Sequence, residues 1–568
     1  MRTETTGCID ALYRALILRQ CKLVAWGATG DARYTVAQFP LSPAYFVDTN
    51  PTRQGTWLSG IPVLSPEILG GEPPERTVVM IFPREPKTAQ AIADQILAIG
   101  PFPILPAFRR ECDGPVLLQA LNAVDGETAA PYRPLSLTVA EGLGRVLSSA
   151  APPPSGRPGH VSLVTELLTL GGSERQICRL AAGFSLSGWQ TTLTVLGPPR
   201  PHSEGLEHLL RNAGVTLLRL SQPRAEWFRT PDLCPPGMNM DQMVELLRQI
   251  PAELAHSILA LCQSLAQQQP ELVVAYMERA GVVAGIAGIV MGVPRILISL
   301  RSLDPGHFQH YFPHGIDWYA DCLRLLLQWP SVRIIANSQA GAVACAAWIG
   351  MPSGQLGVVA NAIPSPGERE AAKSAAVSIR DRLRIGHDQP LLVGVFRLVE
   401  EKRPKLFLDI LAALRLRCPT IQAVVVGDGP LRSVLEEQSA ALRLKDVVQF
   451  VGGQSDALPY IAAADILLHT AAFEGLPNVH LEAQSLAKPV VGFRVGGVGE
   501  SLAPCLHPYN PDDGAIDDLL DAAESLLRNR RLADALGREA ATWVERHFGS
   551  DRMVRESCRA VGLAGENP

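Results

Sequence analysis

Paired metal-ligating cysteines, basic runs, long apolar stretches and short-period repeats are all missing from this 568-residue chain. Its eleven cysteines stand singly, at positions such as Cys21, Cys178 and Cys345, with no C-x-x-C pair and no metal-ligand spacing to histidine. That removes the cysteine-based zinc modules and fits a reducing, cytoplasmic setting. A formal net charge of -5 without a Lys/Arg run argues against a nucleic-acid partner. The longest apolar run, 280–293, is Gly-rich and shorter than the roughly 18 residues that suggest a membrane span, so it predicts a buried helix. The first residues, MRTETTGCIDALYRALILRQ, lack the basic-then-apolar order of a signal peptide and read as a short amphipathic helix. No repeat of solenoid period is found, and no D-x-D motif stands at a strand end to carry a divalent ion.

What is present is an ordinary globular composition, 47% hydrophobic and 19% charged, in a chain too long for one core. Strand-like apolar runs alternate with helical patterns, which predicts an α/β fold of parallel sheets covered by helices on both faces. Two Pro-rich interruptions, APPPSGRPG and NAIPSPGERE, divide the pattern. The expected organisation is a Rossmann-like block over 1–125, a Pro-rich linker over 126–158, α/β domains over 159–365 and 366–545, and a closing helix with tail over 546–568.

In the first block a strand meets a turn with Gly27 and Gly30, and a later strand ends in Asp48. This is the order of a mononucleotide-binding unit, in which glycines admit a phosphate to a helix N-terminus and an acid binds ribose hydroxyls. The spacing is only G-x-x-G, which a ligand-free turn satisfies equally well. In the second block a strand runs into Gly171-Gly172, and Ile177, Leu180, Ala181 and Phe184 follow at helical spacing. A Gly-Gly corner there exposes backbone N–H groups where the helix dipole favours an anion.

The third block holds the densest constellation. In ILLHTAAFEGLPNVHLEAQSL a strand ends in a loop carrying Glu474, and a helix opens near Pro477. Open α/β sheets bind ligands above such strand ends. Within the helix Val479, Ala483 and Leu486 form an apolar stripe that also contains Glu482, an acid that needs a partner if buried. Sugar or ribose hydroxyls could supply the donors, and the Gly475 and Leu476 N–H groups could meet a phosphate. Either glutamate alone reads as an ordinary salt-bridged residue; the pair in this setting points to a ligand. Arg397 and Lys402 follow strand LLVGVF outside any apolar pattern, two cations suited to a diphosphate. Gly496-Gly497 adds a backbone corner at the same strand ends.

The combination GGSERQ, ANSQ, FRLVEEK, VVVGDGPL and the E-x7-E segment FEGLPNVHLE, with GVGE beyond it, resembles the family 4 glycosyltransferases over about residues 160–560. These are retaining enzymes of the GT-B fold, in which two Rossmann-like domains face each other across a cleft. The resemblance implies a nucleotide-sugar donor in the C-terminal domain, a glycan or lipid-linked acceptor, and neither cofactor nor metal. It implies that Arg397 and Lys402 neutralise the donor diphosphate, that Glu474 contacts the transferred sugar and Glu482 the ribose, and that Gly172 lies near phosphate and sugar. It also implies closing helices that cross back to the N-terminal half, and a cytoplasmic protein with room for peripheral contact at the inner membrane face. Many family members carry His-Asp after the strand corresponding to RILISL; here Arg301 and Ser302 follow, leaving Arg301, His307 and His310 as acceptor-side candidates. Two other readings stand beside the transferase: a non-catalytic nucleotide-sugar-binding regulatory protein, and a nicotinamide-dependent oxidoreductase built on the first block.

Overall fold

The computed structural model describes residues 22–27, 43–81, 86–115, 137–150, 154–198, 204–220, 242, 246 and 250–563, apart from single or paired positions and the segment 306–315. Three large sheets organise these residues, beside a two-stranded antiparallel pair of Phe108–Arg109 with Cys112–Pro115. The first holds β1 (Lys22–Trp26), β2 (Tyr45–Val47), β3 (Trp57–Leu58), β4 (Ile61–Leu64), β5 (Thr77–Ile81) and β6 (Ile104–Pro106), in the order β3-β4-β2-β1-β5-β6. All its pairings are parallel except β3 with β4. Alternation along β1 sends Val24 and Trp26 to one face, where they meet Ile96 of α1 (Pro86–Ile99) and Phe102. Leu23 and Ala25 go to the other face.

That second face corrects the expected linker. Within 126–158 lies a helix, α2 (Leu137–Ala150), whose Leu143, Val146 and Leu147 are buried at helical spacing. They join Leu23, Ala25, Phe46, Val63, Val78 and Met80 in one continuous core with the following domain. The N-terminal sheet is therefore docked through shared apolar burial, and this part of the segment is a packed element.

The second sheet is wholly parallel: β7 (Arg157–Thr165), β8 (Gln190–Val195), β9 (Thr216–Arg219), β10 (Pro270–Tyr276), β11 (Arg295–Leu300), β12 (Val332–Ala336) and β13 (Gly357–Val358), in the order β9-β8-β7-β10-β11-β12-β13. Helix α3 (Gly172–Leu186) returns from β7 with Ile177, Leu180, Ala181 and Phe184 all buried. The apolar run expected as a buried helix is α4 (Glu278–Val290), covered on all sides. Helix α5 (Gln339–Trp348) follows β12, with Ser338 as its N-cap.

The third sheet is also parallel: β14 (Leu391–Val395), β15 (Gln422–Val426), β16 (Val448–Gly452), β17 (Ile466–His469) and β18 (Val490–Gly492), in the order β16-β15-β14-β17-β18. The chain enters it through α6 (Pro366–Arg382), which opens on a Ser365/Glu368 capping box. It leaves through α8 (Arg530–His547) and returns to the second domain as α9 (Ser550–Ala560), once α7 (Asn478–Ser485) has been formed on the way. Met553, Val554 and Cys558 of α9 pack with Ile177, Leu180 and Phe184 of α3. The entering and returning segments touch: Ile363 N–H donates to the Phe548 carbonyl at 2.8 Å. No helix among the described residues is long and apolar enough to cross a membrane.

Candidate donor site between the second and third domains

The carboxyl end of β17 places His469, and the loop behind it carries Glu474 to the start of α7, where Pro477 is the N-cap. Glu474 Oε1 accepts from Lys402 Nζ at 2.5 Å and from His469 Nε2 at 3.2 Å. Burial pushes the Glu474 carboxyl upward, but Lys402 and His469 outweigh it and hold the group well below the usual carboxylate range. The Lys402 turn is tied to the same loop, because Thr470 Oγ1 donates to the carbonyls of Lys402 and Arg403 and Ala472 N–H donates to that of Glu401. Arg397 lies half exposed on this turn and its Nη2 meets Glu401 Oε1 at 3.2 Å. The expected cations thus stand above one sheet with Glu474, each already facing a carboxylate.

Three glycines close the floor. Gly497 N–H donates to the Glu474 carbonyl at 2.9 Å, and a methyl on Gly497 would overlap the Gly475 carbonyl oxygen. Gly496 has φ +52° and leaves room for Leu303 of the opposite domain. Gly475 faces that domain too: a side chain there would meet Asn337 Oδ1 at 2.8 Å and the Arg301 carbonyl at 3.2 Å. Leu476 is buried, and its carbonyl accepts from Asn361 Nδ2 at 3.0 Å.

Glu482 is buried on α7 as its place on the apolar stripe requires. Its Oε1 faces Arg175 Nη1 at 3.6 Å and Arg179 Nη1 at 3.5 Å, both from α3 across the domain boundary. Neither contact is a hydrogen bond, and Glu482 Oε1 has no hydrogen-bond partner among the described residues. A carboxylate out of water retains an unmet need for donors there. Gly172 lies flush on the same helix, where any side chain would run into the Asn478 amide.

Several residues that join the domains were not singled out from sequence. Gln176 Nε2 donates to Asn478 Oδ1 and to the Ala362 carbonyl, both at 2.9 Å, and its Oε1 accepts from Ala362 N–H. Asn361 Nδ2 also donates to Asn478 Oδ1. Glu500, the acid of GVGE, reaches the N-terminus of α5, accepting from Gln339 N–H at 2.7 Å and Ala340 N–H at 2.9 Å. A carboxylate at a helix N-terminus is favoured by the dipole and by otherwise unpaired donors. Charge-assisted bonds of this kind contribute roughly 1.5–3 kcal/mol each. Glu500→Ala is accordingly expected to favour the open arrangement, with a larger radius of gyration in small-angle scattering. An unchanged radius of gyration would remove Glu500 from domain closure.

Two sequence expectations are corrected. Arg301 is buried: its guanidinium sits 4.5 Å over the Tyr276 ring, donates to Ser299 Oγ at 2.9 Å and bonds Asn361 Oδ1. It braces the domain junction and does not project toward an acceptor. Asp48 turns into its own loop, taking Asn50 N–H on Oδ1 at 2.8 Å and Arg53 Nη1 on Oδ2 at 3.1 Å, so its carboxylate is not held out for a ribose. Gly27 has the expected positive φ, +103°, but Gly30, His307 and His310 lie outside the described residues. No group of three or more His, Cys, Asp or Glu placed to hold a metal occurs among the described residues.

Residues 377–543, which include Arg397, Lys402, Glu474, Glu482 and Gly497, match the family model described as glycosyl transferases group 1. That match lies wholly within the third domain. The chain's second and third domains together have the GT-B fold. HepE of Anabaena in complex with UDP and glucose superposes with a TM-score of 0.53 at 21% identity, over 71% of this chain and 99% of that one. In sequence, 419 residues are 24% identical to the Vi polysaccharide biosynthesis protein VipC/TviE of Salmonella typhi, covering 71% of each chain. Over 190 residues the chain is 30% identical to a GDP-mannose-dependent alpha-(1-6)-phosphatidylinositol monomannoside mannosyltransferase of Mycobacterium tuberculosis, spanning 32% of this chain and 49% of that protein. The matched segment therefore lies in the part of the chain where the candidate donor residues converge.

Proposed function

We propose that the protein is a retaining, metal-independent glycosyltransferase. It moves a hexosyl unit from a nucleoside-diphosphate sugar to the hydroxyl of a glycan or lipid-linked acceptor, in polysaccharide or glycoconjugate assembly. The observation that carries this reading is the convergence of Lys402, Glu474 and the Gly496-Gly497 corner above one parallel sheet, inside the matched domain.

As the bond from the anomeric carbon to the diphosphate breaks, negative charge builds on the leaving phosphate. Preorganised cations stabilise that charge as it develops. Lys402 and Arg397 take this role, and because each already faces a carboxylate, the diphosphate competes with Glu474 and Glu401 for them. Glu474 orients the sugar and Glu482 accepts hydrogen bonds from the ribose hydroxyls at the oxygen that has no other donor. The acceptor oxygen bonds the anomeric carbon on the face the diphosphate leaves, and its proton goes out with the diphosphate. The protein acts in the cytoplasm, with peripheral contact at the membrane face where a lipid-linked acceptor is presented.

The test is nucleotide release by purified full-length protein from a panel of UDP- and GDP-sugars with EDTA present, beside Glu474→Ala and Lys402→Ala. Release from one donor, lost in both variants, is the expected result. A second reading, a nucleotide-sugar-binding protein without turnover, is favoured by Arg301, which occupies the place of the His-Asp pair and is buried. It predicts donor binding with no release even when glycan acceptors are supplied. No binding of any donor would overturn both readings.

A further inference from the structure

His469 and His480 form a buried pair behind Glu474 to which the proposed reaction assigns no role. Their rings pack edge to face with centroids 4.5 Å apart. His480 is wholly buried and its Nδ1 lies 2.9 Å from Ser501 Oγ. The Ser501 hydroxyl donates to the Val498 carbonyl at 2.7 Å, so it accepts from His480 Nδ1–H, which fixes that tautomer. Burial, and then the neighbouring His469, pushes the His480 imidazole toward its neutral form. His469 has the complementary constraint: Glu474 is ionised and only accepts, so the proton facing it is on Nε2. His469 Nδ1 and His480 Nε2 carry no partner among the described residues. The result is a rigid stack, Ser501 to His480 to His469, that aims one N–H at Glu474.

We propose that His469 is the positioning residue of Glu474, keeping the carboxylate aimed when Lys402 turns to the donor diphosphate. The inference rests on the glycosyltransferase reading and deepens it. Glu474 Oε1 has two donors, Lys402 and His469. A diphosphate draws on the first, and a carboxylate with little access to water requires another fixed donor to hold its place. His469 lies at the end of a core strand and cannot follow the phosphate, so it remains.

Full-length His469→Phe and His469→Gln decide it. The phenylalanine variant keeps the packing and loses the donor, and the glutamine amide restores an N–H. The expected result is a kcat lower by up to about 100-fold in His469→Phe, with donor KM and UDP affinity near wild type, and substantial recovery of kcat in His469→Gln. In a double-mutant cycle, His469→Phe adds little to Glu474→Gln, because both act through one contact. Wild-type kcat in His469→Phe, or full additivity with Glu474→Gln, overturns the proposal. Long-range proton–nitrogen spectra of the imidazoles, with and without UDP, supply a readout independent of turnover. The His469 signal should report protonation at Nε2, persist with UDP and shift in Glu474→Gln; an Nδ1–H tautomer indifferent to Glu474→Gln overturns the proposal. If the wild type releases nucleotide from no donor, the transferase reading fails and the kinetic role with it. The spectra then still establish or refute the His469–Glu474 bond.

Discussion

Glu474→Ala is expected to lower nucleotide release by about 100-fold or more, the scale seen when one preorganised group is removed from a polar active site. Two effects add. The sugar loses an orienting carboxylate, and the Lys402 ammonium, only partly open to water, loses the counter-ion that holds it 2.5 Å away in the crevice. Glu474→Gln keeps the shape and separates charge from volume. Its stability should depend on pH in a defined sense. The folded carboxyl ionises below its ordinary value of 4.5, so the wild type draws stability from it above that pH and loses it as pH falls toward the folded value. Denaturant titrations should therefore show the full gap between wild type and Glu474→Gln at pH 7 and a narrowing gap below about pH 4.5. Wild-type turnover in Glu474→Ala would remove this residue from the site.

Gly497→Ala is expected to be the most damaging single-methyl change in the site. The added carbon overlaps the Gly475 carbonyl oxygen and comes within 2.9 Å of Ser338 Oγ. Both obstacles are held: Gly475 belongs to the Glu474 loop, and Ser338 caps α5 of the opposite domain. The 496–498 turn must move, and its hydrogen bond to the Glu474 carbonyl moves with it. Overpacking of this kind costs about 1–3 kcal/mol, and the displaced loop should remove most turnover. The control lies two residues on, since a methyl on Gly499 meets nothing within 4 Å. Melting temperature and nucleotide release should fall together in Gly497→Ala and stay near wild type in Gly499→Ala. Equal behaviour of the two variants would contradict the tight apposition of the two loops.

The parallel sheets, the strand-loop-helix around Glu474 and the paired acids were legible because each rests on local signals: apolar periodicity, Gly-Leu-Pro corners and carboxylates at fixed spacing. What escaped was non-local. Glu482 meets Arg175 and Arg179 some three hundred residues earlier, and Arg301 is captured by Asn361, sixty residues on. A single sequence has no means of pairing them. In the sequence His469 is one more residue of a core strand, and its alternation gives no other clue. The helix Leu137–Ala150 carried a readable pattern in Leu143, Val146 and Leu147, but prolines on both sides made the whole stretch look like a spacer.

The backbone passes between the two GT-B domains twice, near Ile363 and near Phe548, and the two passages are bonded to each other. A body joined to another at two adjacent points has lost its freedom to translate and most of its freedom to twist. What remains is rotation about the line through both. A swing about that line would separate Glu482 from Arg175 and Glu500 from the start of α5 in a single stroke. Cutting the chain after Phe548 would release one of the two straps, turning a hinged jaw into a tethered pair and leaving the α3 surface bare where α9 now lies.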